Sequence, residues 1–497
     1  MKQKNIQNLV GGLLLLSCVI WGSGCKKQLD INVDPNVPTY DQGTPSLVFP
    51  AALLATAGRT GGDLAILGGI WGQYVTQSAQ SNQYKYIDAY DVKNTDLNTQ
   101  YSGLFAGGLK NYQYVINKAR DAQDWNFYLL GTVMKAYTAS VLVDLYDQIP
   151  YFQALQGTAN LNPKFDDGYL IYKNLLESLD TALSKDFTAS SNSNLTGVAA
   201  DLVFNGNMTR WKQFAYTLEL KLYLRMINAK PDEAKAGIQK LYAAKADFLT
   251  TTDAAISSFT DVTSKSNPLY EQNIRQLNTP DNIRASRTFA SFLQAKADPR
   301  IVTYFGATTI NSVNQGDYTG TDATYSTAAR LVEKATDPVV FLSAAESYLM
   351  QAEARERYYG GEQAGAMYNS GVLAAFTAAG MNGASFVATG GAYAYPAATA
   401  TLETKIEAIS VQKWISCASG VHFLEGFFEK NRTGYPRTSA VYSTATNYVP
   451  GQFVVSKNSV LTGGLLPKRL VFPDVEKSRN TSTPAQVPIT TPVWWAK

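Results

Sequence analysis

The sequence has very few of the side chains that catalytic centres most often use. It contains a single histidine, His422, and three cysteines. One histidine excludes a histidine-based metal site. A Ser-His-Asp arrangement would rest on His422 alone, whose surroundings, SGVHFLEGFFEK, lack a nucleophile elbow. No GxGxxG or P-loop pattern follows a strand-like run, so no nucleotide cofactor, or any other, is expected. An excess of one charge is missing as well: 43 Lys and Arg stand against 40 Asp and Glu. That balance leaves no electrostatic footprint for nucleic acid. Past residue 24 there is no apolar run of the roughly 20 residues a bilayer span needs. The one enzymatic rival is glycoside hydrolysis, which needs only two carboxylates across a cleft. Asp144, Asp147, Glu346 and Glu353 would be its helical candidates, although carboxylates on helices are usually solvated.

What is present begins with a junction. Lys2 and Lys4 precede an almost wholly apolar run, Leu9–Trp21, and Gly22-Ser23-Gly24 then leads into Cys25. A basic start, a short apolar run and small residues before a cleavage point form a secretory signal. A cysteine placed directly after them is the position for lipid attachment. Cys18 is its rival, but it lies inside the apolar run. The division expected is a signal peptide over 1–24 and one domain over 25–497, held to the membrane by acyl chains on Cys25. Only Cys25 and Cys417 remain after cleavage, so no disulfide framework is available.

The mature chain reads as helices in pairs. In 206–244, Trp211, Phe214, Leu218, Leu222 and Met226 recur at helical spacing after a candidate N-cap, Asn207. Pro231 opens a second helix with Ala234, Ile238 and Leu241 on its inner side. Residues 341–376 repeat the design: Phe341, Ala345, Tyr348 and Ala352, a break at Gly360-Gly361, then Met367, Val372 and Phe376. Further helices are predicted near Trp125–Tyr146, Asp167–Ser184 and Leu402–Ala418. The fold class expected is mainly α: tetratricopeptide-like hairpins stacked into a right-handed α-α superhelix, with minor β-hairpins. Between the pairs, 185–205, 245–335, 379–401 and the tail from 435 are rich in Gly, Ser, Thr, Asn and Tyr. The chain's 30 tyrosines argue for an ordered loop layer, because disordered segments are poor in aromatics.

The stretch CKKQLDINVDPNVPT, residues 25–39, closely resembles the mature start of the SusD/RagB family, outer-membrane nutrient-binding lipoproteins. VDLYDQIPYFQA (143–154), NGNMTRWKQFAYTLELKLYLRM (205–226), ADPRIVTYF (297–305), AAESYLMQAEA (344–354), IEAISVQKWISC (406–417), EKNRTGYPR (429–437) and LPKRLVFPDVEKSRN (466–480) continue the resemblance in family order over nearly all of the mature chain. The resemblance implies a non-enzymatic lipoprotein of the outer membrane that faces the cell exterior. It would bind a glycan, or in some members a peptide, and deliver it to a SusC-like TonB-dependent transporter. The alternative from another class is a tetratricopeptide-like scaffold that binds only protein partners.

Read from the residues alone, most of these motifs are structural. Arg432-Thr433-Gly434-Tyr435-Pro436 reads as a loop tied down by arginine bonds to carbonyls, Asp298-Pro299-Arg300 as a turn with a local ion pair, and Trp414 as core. The ligand surface is expected in 71–90, WGQYVTQSAQSNQYKYIDAY, where Trp71, Tyr74, Asn82, Tyr84 and Tyr86 concentrate rings and amides suited to sugars. Trp71 and Tyr74 have helical spacing, whereas Tyr84 and Tyr86 follow a break in the period and read as exposed. In the family a later loop shares the binding surface. It corresponds here to 266–325, which adds Tyr270 and Asn282 by region.

Overall fold

A computed structural model describes residues 42–192, 195, 200–277 and 281–497. Cys18, Cys25 and the LDINVDPN segment lie outside them. Residues Pro45–Lys497 form one compact unit. Its longer helices are α1 (Pro45–Thr60), α2 (Asp63–Trp71), α3 (Lys110–Asp121), α4 (Trp125–Tyr146), α5 (Gly168–Leu183), α6 (Met208–Met226), α7 (Pro231–Ala243), α8 (Arg287–Ala295), α9 (Ala344–Tyr358), α10 (Ala364–Ala378), α11 (Leu402–Ser416) and α12 (Phe423–Thr433). The strands are short: β1 (Val75–Gln77), β2 (Ile149–Pro150), β3 (Phe165–Asp166), β4 (Ala254–Ile256), β5 (Ile283–Ala285) and β6 (Val339–Leu342). They pair antiparallel as β1–β5, β2–β3 and β4–β6. The protein is mainly α, as its periodicity requires.

Local chemistry explains the helix boundaries. The Asn207 side chain accepts from the Arg210 N–H and so caps α6, while Pro231 fills the first turn of α7, where its missing N–H costs nothing. Asp124, Asp167 and Ser343 cap α4, α5 and α9 in the same way. Neighbouring helices then pack as α3 with α4, α4 with α5, α6 with α7, and α9 with α10. Trp211, Phe214, Leu218 and Met226 are fully buried between them. The crossing of α2 and α12 depends on Gly68, where a Cβ would overlap the Leu424 backbone.

The structure corrects several expectations. Phe341 belongs to β6, and α9 starts only after Ser343. The stretch 245–335 holds α8, β4, β5, a π-turn at Glu271–Gln276 and a short helix Arg300–Phe305. Arg432 and Thr433 end a helix, and Gly434 closes it in the left-handed conformation, with φ 84°. The loop beyond is tied down by Lys430 instead of Arg432. The Lys430 ammonium donates to the carbonyls of Gly434 and Pro436 and to the Thr438 hydroxyl. No helix among the described residues is long and apolar enough to cross a membrane.

Candidate functional site

The candidate helical carboxylates are all engaged by protein groups, Asp147 by Arg469 and the Trp494 N–H. Asp144, Glu346 and Glu353 are buried, against the expectation of solvation, and each meets a protein cation. Arg225 of α6 bridges Asp144 of α4 at 3.3 Å, Glu425 of α12 at 2.8 Å, and Glu429. Lys221, one turn earlier, reaches Glu346 at 3.0 Å and Glu425 at 2.8 Å. Lys413 of α11 joins Glu346, Glu425 and Glu429 at 3.2–3.3 Å. Arg432 forks onto Glu353 and Glu429. The Asp144 carboxylate also accepts from Tyr172 and from the Trp495 indole. Burial raises all these carboxyls, but their cations outweigh it at four positions, Glu425 among them. Glu353 sits at about 2 beside Arg432 and Arg357, while Glu346 and Glu429 are held well down. At Asp144 burial wins over Arg225 and pushes the carboxyl up to about 6.

His422 Nε2 lies 3.1 Å from Glu346, and Glu346, His422 and Glu425 bring ligand atoms within 4.8 Å of one another. A histidine-containing cluster therefore exists that sequence reasoning had ruled out. Its carboxylates are already engaged by Lys221 and Lys413, so a metal ion would face two ammonium groups. Asp298 and Arg300 form a second buried pair at 2.6 Å, completed by the Tyr393 hydroxyl at 2.7 Å. These groups satisfy one another inside the scaffold. The sequence did carry a signal for them: charges at i and i+4 inside apolar helical runs, as in Leu218, Lys221, Leu222 and Arg225.

The loop layer is organised differently. β1 pairs with β5, which places residues 75–77 beside 283–285. The two regions expected to share a ligand surface are thus adjacent. Amides hold them there. Gln77 donates to Ser81 and accepts from the Tyr84 N–H, folding the 78–84 loop. Gln315 donates to Asp88 at 2.9 Å and accepts from Ser286 at 2.8 Å, while Gln73 accepts from Thr288 and Val454. Burial pushes the Asp88 carboxyl up to about 6, opposed by Thr76, the Gln77 N–H and Gln315.

The expected binding residues divide into two groups. Trp71, Tyr74, Tyr84 and Asn282 are buried, which corrects the reading of Tyr84 as an exposed ring. Trp71 donates to the Ile87 carbonyl and packs on Phe427. Tyr74 donates to the Trp414 carbonyl among Phe289, Trp414 and Phe423. Tyr84 precedes a short helix, Lys85–Asp88, and turns its hydroxyl toward Gln272. The Asn282 carbonyl accepts from the Ser78 N–H. Each faces inward because β1–β5 pairing and the α2–α12 crossing close over it. Asn82 is exposed, and Tyr86 and Tyr270 are half-buried, the latter with the Arg275 guanidinium 5.4 Å from its ring. Sequence reasoning missed Tyr318, a half-buried ring within the later region, 5.2 Å from the Lys85 ammonium. Asn458 stands beside it, donating to the Gly316 carbonyl and Thr319.

Comparison with known proteins fits this architecture. Residues 51–453 match the family model SusD-like, described as starch-binding and associating with the outer membrane. The chain belongs to the SusD-like family. Among solved structures, a SusD homologue from Bacteroides uniformis aligns at 22% identity and a TM-score of 0.73, covering 91% of this chain and 99% of its own. A chitin-binding SusD homologue from Flavobacterium johnsoniae aligns at 21% identity and 0.72, covering 91% and 97%. A SusD homologue from Bacteroides thetaiotaomicron gives 18% and 0.69, with 91% and 99% covered. At these identities the solved structures support the SusD-like fold. No curated protein matches the sequence.

Proposed function

We propose that this SusD-like chain binds an oligosaccharide on its loop layer and delivers it to a SusC-like TonB-dependent transporter, as an outer-membrane lipoprotein anchored through Cys25 and facing the cell exterior. The observation that carries the reading is the β1–β5 pairing, which sets residues 75–77 of the 71–90 region beside 283–285 of the 266–325 region. The two regions offer Asn82, Gln83, Tyr86, Tyr270 and Tyr318 at least partly to solvent. Ring faces stack on the apolar faces of pyranoses, and amides pair with hydroxyls. The family's description as starch-binding and the chitin-binding homologue support a glycan as the ligand class.

The test is a glycan array on the protein without its first 25 residues, followed by titration of the best ligand against Tyr318→Ala and Tyr270→Ala. Loss of affinity in a folded variant supports the surface. Unchanged affinity in both removes it, and an array with no hits moves the ligand to peptides or to protein partners. Affinity purification from native membranes should recover one predominant β-barrel partner. Recovery of none under gentle detergent contradicts the delivery role.

A further inference from the structure

Away from the loop layer, a cavity of about 160 Å³ opens between α3, α4 and α5. Gln113 comes from α3, Tyr128 and Lys135 from α4, Ser178 from α5, and Tyr151 from the segment after β2. A void of about 10–15 Å³ holds one water and one near 150 Å³ takes benzene, so this space suits a molecule of about one six-membered ring. Its charge is uncompensated. The Lys135 ammonium donates to the Gln113 amide oxygen at 2.7 Å and stands 4.9 Å from the Tyr151 ring centre, yet it forms no ion pair among the described residues. Lys221 and Lys413, buried elsewhere in the scaffold, each face two or more carboxylates. Burial, with no charge acting against it, pushes Lys135 down to about 8, so it remains a cation at neutral pH. Tyr151 is fixed by its bond to Asn174 at 3.0 Å, and Tyr128 lies under a second cation, Lys185. Tyr128, Lys135 and Tyr151 are the titratable groups among the residues that line the cavity.

We propose that this cavity is a second ligand site, for a small monocarboxylate built on about one six-membered ring, with Lys135 pairing the carboxylate and the Tyr128 and Tyr151 rings flanking its body. One ammonium answers one negative charge. A dianionic phosphate would bring a second charge with no second cation among the lining residues to meet it, and a neutral ring would leave the ammonium without an ion pair. The site lies on the scaffold and does not depend on the loop-layer reading.

Titration calorimetry on the full-length protein in mild detergent would compare benzoate and glucuronate with benzamide and glucose at pH 7 and 9.5. A carboxylate should bind at least tenfold more tightly than its neutral analogue at pH 7. That preference should shrink at pH 9.5 as Lys135 loses its proton, and Lys135→Met should abolish it. The ¹³C-methyl resonance of dimethylated Lys135 should move as the carboxylate is added. Equal binding of acid and neutral analogue, absence of binding by either acid, or a preference kept in Lys135→Met overturns the proposal. Should that variant fail to fold, a Lys135 resonance that stays still under carboxylate overturns it instead.

Discussion

The helical scaffold and the loop layer both bury polar groups, but they satisfy them with opposite chemistry. In the scaffold, Lys221, Arg225, Lys413 and Arg432 meet Asp144, Glu346, Glu353, Glu425 and Glu429 across α4, α6, α9, α11 and α12. In the loop layer, Gln73, Gln77, Asn314 and Gln315 meet hydroxyls, backbone groups and the Asp88 carboxyl. The difference follows from what each region has to satisfy. A helix satisfies its own backbone, so its inward side chains can be spent on ion pairs between helices. A loop leaves N–H and C=O groups open, and an amide answers both with one side chain.

The largest effect should come from breaking a buried ion pair. Arg225→Met leaves Glu425 and Glu429 without a principal partner and should cost about 3–5 kcal/mol in chemical denaturation. Trp211→Ala should cost about as much by cavity formation, with loss of the indole bond to Asp201. A near-neutral result for Arg225→Met would mean that the scaffold's charges are held by solvent, and the contrast between the regions would fail.

In the loop layer, Gln315→Ala should cost less, about 1–3 kcal/mol, by leaving Asp88 and Ser286 short of partners. A cost equal to that of Arg225→Met would erase the distinction.

The two regions should also differ in their response to pH. Glu353 lies at about 2 in the folded protein because Arg432 and Arg357 outweigh its burial. Its stabilisation is present above the unfolded carboxyl value of about 4.3 and is lost as pH falls through about 2. Glu333 behaves in the reverse sense. Burial raises it to about 8, with Asn273 opposing and Asp337 adding. Its contribution is complete below about 4.3 and is lost as pH rises through about 8. The Asn273 amide donates to one Glu333 oxygen at 2.7 Å, while the other Glu333 oxygen and the Asn273 carbonyl lack partners among the described residues. A proton on Glu333 supplies the missing donor. Glu333→Gln should therefore flatten the melting temperature between pH 7 and 9, and an unchanged alkaline slope would assign that slope to other groups.

The smallest effect on stability should come from Tyr318→Ala, within about 0.5 kcal/mol for a surface position. Its affinity for the cognate glycan should nonetheless fall by at least about 1 kcal/mol if the ring is an anchor. A thermal melt and a titration on the same sample separate the two.

The family motifs found in the sequence carry the scaffold more than the ligand surface. Asp144 lies in VDLYDQIPYFQA, Lys221 and Arg225 in the α6 motif, Glu346 and Glu353 in AAESYLMQAEA, Lys413 in IEAISVQKWISC, and Glu429 and Arg432 in EKNRTGYPR. All converge on one buried network. The motifs were legible because they recur on helices. Their common destination was not, because pairing between residues hundreds of positions apart leaves no local period.

The sequence by itself determined the boundaries of several helices. Trp125–Tyr146 appears with the boundaries read from it, and Asn207, Pro231 and Gly360-Gly361 act where they were placed. Apolar period, caps and breakers act within one or two turns, so a few adjacent residues are enough to set them. Tertiary structure decided which of the clustered aromatics face water. Trp71, Tyr74 and Tyr84 turn inward and Tyr318 keeps a partly open face. That choice rests on β1 meeting β5 across some two hundred residues and on α12 crossing α2 at Gly68. Burial is a property of what arrives from elsewhere in the chain, and a tyrosine carries the same local signal whichever side is covered.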